Sequence, residues 1–348
     1  MPQNIIKRVI SKLFTWATEM DEKPNGLYTG PTEDTFKSRA RIVMENADSP
    51  VKTNITPVPT SKRNFEWWNE HMLERQQTRG EICTIPSFAE IAIDTKVPIC
   101  IALFGDQHIG ADSVDYKLLA RHAEIIKEHP LMYTICGGDM TDSFFFNPAQ
   151  QENMMNYREQ YQYLRSMLDY IGGEKIIAGW GGDHDLWASK MGITFYDDWC
   201  EKYKAPYFEG VSFLKLRVGM TEYKMVGAHQ LPGHSMYNKS HPEMRASREA
   251  QGADIYFGFH NHTKGVAQQP VTTFEGSMMQ YFISSGTYKE TDRYGRKKGF
   301  QRVDEADKGA TFVILYPETK VVQPVNTVEE AIQILGPYLM EELESSHE

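Results

Sequence analysis

From residue 99 onward, short, largely apolar runs alternate with stretches in which apolar residues recur every three or four positions. The runs at 99–104, 131–136, 175–178, 223–227, 255–257, 281–284 and 311–316 read as buried strands, since a strand covered on both faces has no position to leave polar. Between the first two, Leu118, Leu119, His122, Ala123, Ile125 and Ile126 recur at helical spacing within 116–129, as a crossover helix requires. A second helix is predicted over 153–170, stopped by Gly172 and Gly173. A third starts at Thr327, with Glu330 three residues on in a capping-box pattern. Alternating strands and helices predict an α/β fold.

The first 95 residues break this rhythm. Pro50, Pro57 and Pro59 lie in a Ser/Thr/Asn-rich stretch that reads as an extended arm, followed by one helix over 65–79 carrying Trp67 and Trp68. At the start, Ile5, Ile6, Val9, Ile10 and Leu13 are interrupted by Lys7, Arg8 and Lys12. That pattern excludes a signal-peptide core and predicts an amphipathic helix that packs on the body or on another subunit, a route to oligomerisation. No apolar run reaches the roughly 18 residues of a membrane span. The expected organisation is an N-terminal helical and extended arm over 1–95, a main domain over 96–325 and a C-terminal helix over 326–348.

Composition adds two constraints. The four cysteines have no CxxC spacing, and Cys100 and Cys136 sit inside predicted strands, so they read as small core residues in a reducing, cytoplasmic setting. A net charge of −10 argues against a surface coated with basic residues for nucleic acid, although a local basic groove is compatible with it.

The chemistry lies directly after the strands. Asp106 and His108 follow the first, in Gly-Asp-Gln-His, and Asp139 and Asp142 follow the second, in Gly-Asp-Met-Thr-Asp. Asp183, His184 and Asp185 follow the third, His229 the fourth, and His260 and His262 the fifth. Loops at the carboxyl ends of strands in an α/β sheet converge on one edge, and glycines beside the acids let the backbone approach closely. Each motif alone is weak, because DxH and GDxxD are common turns. All five in this order are specific.

In that order they resemble the calcineurin-like metallophosphoesterases, a family that includes the nuclease subunits of double-strand-break repair complexes; the resemblance covers roughly residues 98–316. It implies two packed β-sheets flanked by helices, an αββα sandwich, preceded here by the N-terminal arm. It also implies two divalent metal ions, one held by Asp106, His108, Asp139 and His262, the other by Asp139, Asp183, His229 and His260. His184 would protonate the leaving oxygen, with Asp142 holding and charging it through its other ring nitrogen. Imidazole with carboxylate suits Mn²⁺ best, with Fe and Zn²⁺ as alternatives. Such a pair activates water for attack on a phosphate ester. The sequence departs from the family pattern at Asp183, where Asn is usual, at Phe259, inserted between Gly258 and His260, and at Phe144, where Gly is usual.

The substrate is less legible. Residues 287–302 carry Lys289, Arg293, Arg296, Lys297, Lys298 and Arg302 interleaved with Tyr288, Tyr294 and Phe300. Charge for phosphates and rings for stacking are what a single-stranded nucleic-acid path needs, which makes Arg293, Arg296, Lys297 and Lys298 candidate substrate contacts. A phosphodiesterase or nuclease is therefore the leading expectation. A protein or small-molecule phosphomonoesterase, and a binding or assembly protein with a degenerate site, stay open.

Overall fold

A computed structural model of the chain describes residues 65–82, 87–143, 152–189, 199–235, 237–274, 276–291, 293–297, 299 and 302–345. The expected helix at the N-terminus, the three phenylalanines at 144–146 and Lys298 lie outside the described residues. The chain divides into two compact units, residues 1–78 and 79–348. Most of helix α1 (Phe65–Ile82) falls in the first, with the Trp67 and Trp68 rings edge to face at 5.0 Å.

The second unit begins with β1 (Phe88–Ile93), β2 (Ile99–Phe104), α2 (Tyr116–Glu128), β3 (Met132–Cys136), α3 (Tyr157–Ile171), β4 (Ile176–Gly181) and α4 (Asp183–Ser189). It continues with β5 (Tyr207–Glu209), β6 (Ser212–Val218), β7 (Thr221–Ala228), α5 (His241–Glu249), β8 (Ile255–Gly258), β9 (Gly265–Thr273) and β10 (Gly276–Ser284). It ends with α6 (Arg293–Lys297), β11 (Thr311–Leu315), β12 (Val322–Val325) and α7 (Val328–Ser345). One six-stranded sheet has the order β12-β11-β2-β3-β4-β5, the other β1-β6-β7-β8-β10-β9.

The wholly apolar runs have a direct cause. Along β2, Ile99, Ile101 and Leu103 point into the core between the sheets, while Cys100, Ala102 and Phe104 point into the core under the helices. Phe312 and Ile314 alternate with Val313 and Leu315 on β11 in the same way. Helices α2, α3 and α7 cover the first sheet, through Leu119, Leu164 and Leu335 among others. Helix α5 covers part of the second through Ala246. The layers are thus αββα, as the resemblance implies. Cys100 and Cys136 are buried free thiols. No helix among the described residues is long and apolar enough to cross a membrane.

The helix ends follow their local signals. Gly172 closes α3 at φ +97°, a conformation that costs glycine little, and Asn156 with Glu159 forms a capping box at its start. Thr327 and Glu330 exchange hydrogen bonds at the start of α7. One strand falls inside the expected arm: residues 88–93 pair in parallel with β6 as an edge strand of the second sheet. Its six residues alternate exposed and half-buried, and Glu90 interrupts its apolar residues.

Candidate metal centre

The parallel strands β2, β3 and β4 of one sheet, and β7 and β8 of the other, deliver their carboxyl-terminal loops to one seam. The loops after β2 and β3 are stitched together by main-chain bonds from Asp106 N–H to the Gly138 carbonyl (2.9 Å) and from His108 N–H to the Asp139 carbonyl (2.9 Å). The second sheet is tied in where His260 N–H donates to Asp106 Oδ2 (2.9 Å). Phe259, the residue inserted into the last motif, is buried, and its ring lies against the Cα atoms of Gly105 and Gly137, where any Cβ would overlap it. The insertion therefore fills a notch that the two glycines leave open. Gly182 makes a similar approach to Asp139, against whose main-chain nitrogen and carboxylate a Cβ would collide.

Seven non-glycine residues among those described have positive φ, and five are candidate ligands: Asp106 (49°), His108 (47°), Asp139 (46°), His260 (68°) and His262 (56°). Left-handed backbone at a non-glycine residue is unfavourable and persists where the surroundings over-determine it, commonly at functional sites. Here it turns successive side chains into the seam.

The side chains meet there in three overlapping sets: Asp106, His108 and His262; His108, Asp139 and His184; and Asp139, His229 and His260, with the ligand atoms of each set within 4.8 Å of one another. Asp139 Oδ2 lies 3.2 Å from His229 Nε2, 3.8 Å from His184 Nε2 and 3.9 Å from His108 Nε2. Asp106 Oδ1 lies 3.4 Å from His262 Nε2. Asp183 is at the rim, half-exposed, with Oδ2 3.9 Å from His260 Nδ1. The structure thus gathers six of the seven expected ligands tightly and the seventh loosely. His184, expected only as an acid, also falls within one set.

These residues fit divalent metal ions. The buried Asp106 Oδ1 accepts no hydrogen bond. His108 Nε2 and His262 Nε2 face each other at 3.1 Å. With His108 Nδ1 donating to Asp142 Oδ1 (3.1 Å), the lone pair of the neutral ring is on Nε2, pointing at His262, Asp106 and Asp139. His229 Nδ1 likewise donates to the Gly137 carbonyl (2.7 Å) and turns Nε2 to Asp139. Buried carboxylates with imidazole lone pairs converging on one point are a donor set that a cation satisfies.

Electrostatics in the metal-free protein follow from burial and these contacts. Burial pushes His108 down to about 4, against the opposing pull of Asp142. Burial raises the Asp139 carboxyl, but His229, His184 and His108 outweigh it and hold Asp139 well below the usual carboxylate range. His229 is also penalised by burial, yet Asp139 and Asp106 raise it to about 10. The sign follows directly. The ionised His229–Asp139 pair stabilises the metal-free fold fully below the ordinary histidine value of 6.5, and that contribution is lost as pH rises through about 10. A metal ion needs neutral imidazole, so Mn²⁺ binding at pH 8 should expel about one proton, and none well above pH 10. Calorimetry in buffers of different ionisation enthalpy measures this count, and no proton release at pH 8 would contradict it.

Two expectations need correction. The Asp142 carboxylate does not face His184. It accepts from His108 Nδ1 and from Lys289 Nζ (2.7 Å), and these two donors outweigh the effect of burial and bring it to about 2. His184 Nδ1 bonds instead to the Asp142 main-chain carbonyl, because the turn after Asp139 presents that oxygen to α4. His184 is further fixed by its N–H to Asp139 Oδ1 (2.9 Å) and by the Trp187 ring, with centroids 4.4 Å apart. Asp185 accepts from the N–H groups of Met140 (3.1 Å) and Gly182 (3.0 Å), locking the second and third motifs together.

The basic stretch at 287–302 is also not one surface. Thr287, Tyr288 and Lys289 are buried beneath the site. Tyr288 has its hydroxyl on His122 Nδ1 (2.6 Å), so it is no stacking platform. Arg293, Arg296 and Lys297 are exposed on α6, and the Arg293 N–H donates to Glu152 (2.7 Å). Lys289 as the partner of Asp142 is the residue that sequence reasoning missed. The two are 147 positions apart, so no local pattern signals the pair.

Two six-stranded sheets flanked by helices, with the motifs placed at strand ends, make an α/β sandwich that carries a His/Asp cluster able to hold metal. No family model and no curated protein matches the sequence. Solved structures with a similar fold include wild-type Vps29 complexed with Zn²⁺ from Entamoeba histolytica, at 13% identity over 65% of this chain and 97% of that one, TM-score 0.31. A metallophosphoesterase from Sphaerobacter thermophilus is 14% identical over 65% of this chain and 86% of its own, TM-score 0.33. The nuclease MPE of Pseudomonas putida is 12% identical over 65% of this chain and 87% of its own, TM-score 0.29.

Proposed function

We propose that the chain is a two-metal phosphoesterase that hydrolyses phosphate diesters in preference to monoesters. The observation that carries this reading is the pair of imidazole–carboxylate sets joined at Asp139, one from Asp106, His108 and His262 and one from His229 and His260. Two divalent ions, Mn²⁺ best suited with Fe or Zn²⁺ as alternatives, would supply a water of lowered pKa and offset the charge that builds on phosphorus. His184, held at Nδ1 by a carbonyl, presents Nε2 to the same space and is placed to give a proton to the leaving oxygen. The rim position of Asp183 suits a role that charges the site as well as holding the second ion.

The preference for diesters rests on that charge. Asp106, Asp139 and Asp183 together set three negative charges against the four positive charges of two divalent ions; Asn at 183 would leave two negative. A monoester carries nearly two negative charges near neutral pH, a diester one. Because Asp183 is half-exposed, solvent keeps the discrimination to about 1 kcal/mol, roughly fivefold. With Mn²⁺ saturating, Asp183→Asn should move the kcat/KM ratio of bis(p-nitrophenyl) phosphate to p-nitrophenyl phosphate about fivefold toward the monoester. A wild-type chain that prefers the monoester, or an unchanged ratio in the variant, would overturn the preference. Hydrolysis of neither ester, nor of single- or double-stranded DNA, with Mn²⁺ would overturn the enzyme reading itself. Nucleic acid is the diester of first choice because Arg293, Arg296 and Lys297 form an exposed basic run beyond the buried Lys289.

A further inference from the structure

Lys289 is buried, 7% exposed, in a chain whose other described lysines lie mostly at the surface. Its backbone is fixed on both sides. Thr287 Oγ1 donates to the Asp106 carbonyl (3.0 Å) and accepts the Lys289 N–H (3.0 Å), Tyr288 N–H donates to the same carbonyl (3.1 Å), and Lys289 bridges to Val114. From that anchored position its ammonium reaches Asp142 Oδ1 at 2.7 Å, the oxygen that also receives His108 Nδ1–H at 3.1 Å. With its amide turned so that nitrogen rather than oxygen faces the carboxylate, Asn153 donates to the other oxygen, Oδ2, at 3.1 Å.

We infer that Lys289 is a positioning residue for the metal centre, acting through Asp142 on His108. The inference rests on the metal reading above. The chain of contacts runs in one direction. The ammonium holds the carboxylate in place and compensates its buried charge. The carboxylate then fixes the tautomer and the ring plane of His108. His108 Nε2 is thereby aimed at Asp106, Asp139 and His262. Partners that orient a ligating histidine in this way typically change metal affinity by about 10–100-fold when removed. A buried carboxylate left without its cation must draw in water, become protonated or move, and each of these releases the grip on His108. His229 makes no contact with this chain, because its own Nδ1 is held by the Gly137 carbonyl.

The test is Mn²⁺ binding to the full chain, stripped of metal, by equilibrium dialysis, with circular dichroism and the melting temperature of the metal-free state as controls. Lys289→Met should weaken the first binding step about 10–100-fold while the metal-free fold persists, and Lys289→Arg, which keeps the charge, should recover at least half of the loss on a logarithmic scale. Should Lys289→Met fail to fold, the double variant Asp142→Asn with Lys289→Met removes both buried charges together. It should fold and still bind the first Mn²⁺ about tenfold more weakly than the unsubstituted chain. Wild-type affinity in whichever of these two variants folds overturns the role of Lys289. Equal loss in Lys289→Arg and Lys289→Met overturns the charge-borne mechanism. If the unsubstituted chain itself binds no Mn²⁺, the metal reading falls, an outcome distinct from intact binding in every variant.

Discussion

Asp139→Asn should reduce bound Mn²⁺ from about two ions per chain to fewer than one, and cut diester hydrolysis by well over about 100-fold. The size of the effect follows from position. Asp139 Oδ2 lies within 4 Å of His108, His184 and His229 at once. Losing its charge weakens both imidazole sets, whereas a residue that merely orients one ligand disturbs one. An amide nitrogen in place of Oδ2 would also direct its hydrogens at lone pairs that a metal ion needs. Metal analysis after dialysis against Mn²⁺, beside a rate measurement on the same sample, checks both numbers. Full occupancy with full activity in the variant would remove Asp139 from the centre.

His184→Ala should act on rate more than on metal. Expected losses in kcat are about 10²–10⁴ for a diester with an alkoxide leaving group, and much smaller for a nitrophenolate, which departs without a proton. The geometry favours this division, since the ring is held at Nδ1 by the Asp142 carbonyl and backed by Trp187, with Nε2 facing the seam 3.8 Å from Asp139 Oδ2. The Asp142 carboxylate is spent on His108 and Lys289 instead. Asp142→Asn should therefore perturb metal affinity more than it perturbs the leaving-group dependence. Equal losses on both leaving groups in His184→Ala, accompanied by lost Mn²⁺, would make His184 a ligand.

The parts of the fold that could be read from sequence are those that carry two-sided burial. Strands β2, β3, β8 and β11 are apolar at nearly every position, Thr134 and Thr311 apart, because each contributes to two cores, so they stand out, and the candidate ligands stand out after β2, β3 and β8. The strands β1, β5, β6, β9 and β12 lack that signature. Strand β9 is an edge, alternately half-buried and exposed, and includes Pro270; β12 is an edge with Pro324. Proline fits an edge, where one N–H would otherwise have no ladder partner, but in the sequence it reads as a break. Strand β6 alternates buried and exposed residues with Lys215 and Arg217 among them. Within the site, residue types and order pointed to the candidate ligands that the fold gathers, while contacts such as Lys289 with Asp142 depend on tertiary placement alone. The carbonyl that holds His184 could not be anticipated because main-chain atoms leave no trace in residue identity.

The Phe259 ring, seated on Gly105 and Gly137, joins the two sheets at the level of the ligands. Asp106, His108 and Asp139 are carried by one sheet, His229, His260 and His262 by the other, so the centre lies across a potential slip plane. Any sliding of one layer over the other would change the spacing between the two halves of the chelator. A flat apolar wedge with glycine on its far side resists that sliding without contributing a donor atom. The spacing of the candidate ligands is therefore gauged by a hydrocarbon rather than by any polar contact of that residue.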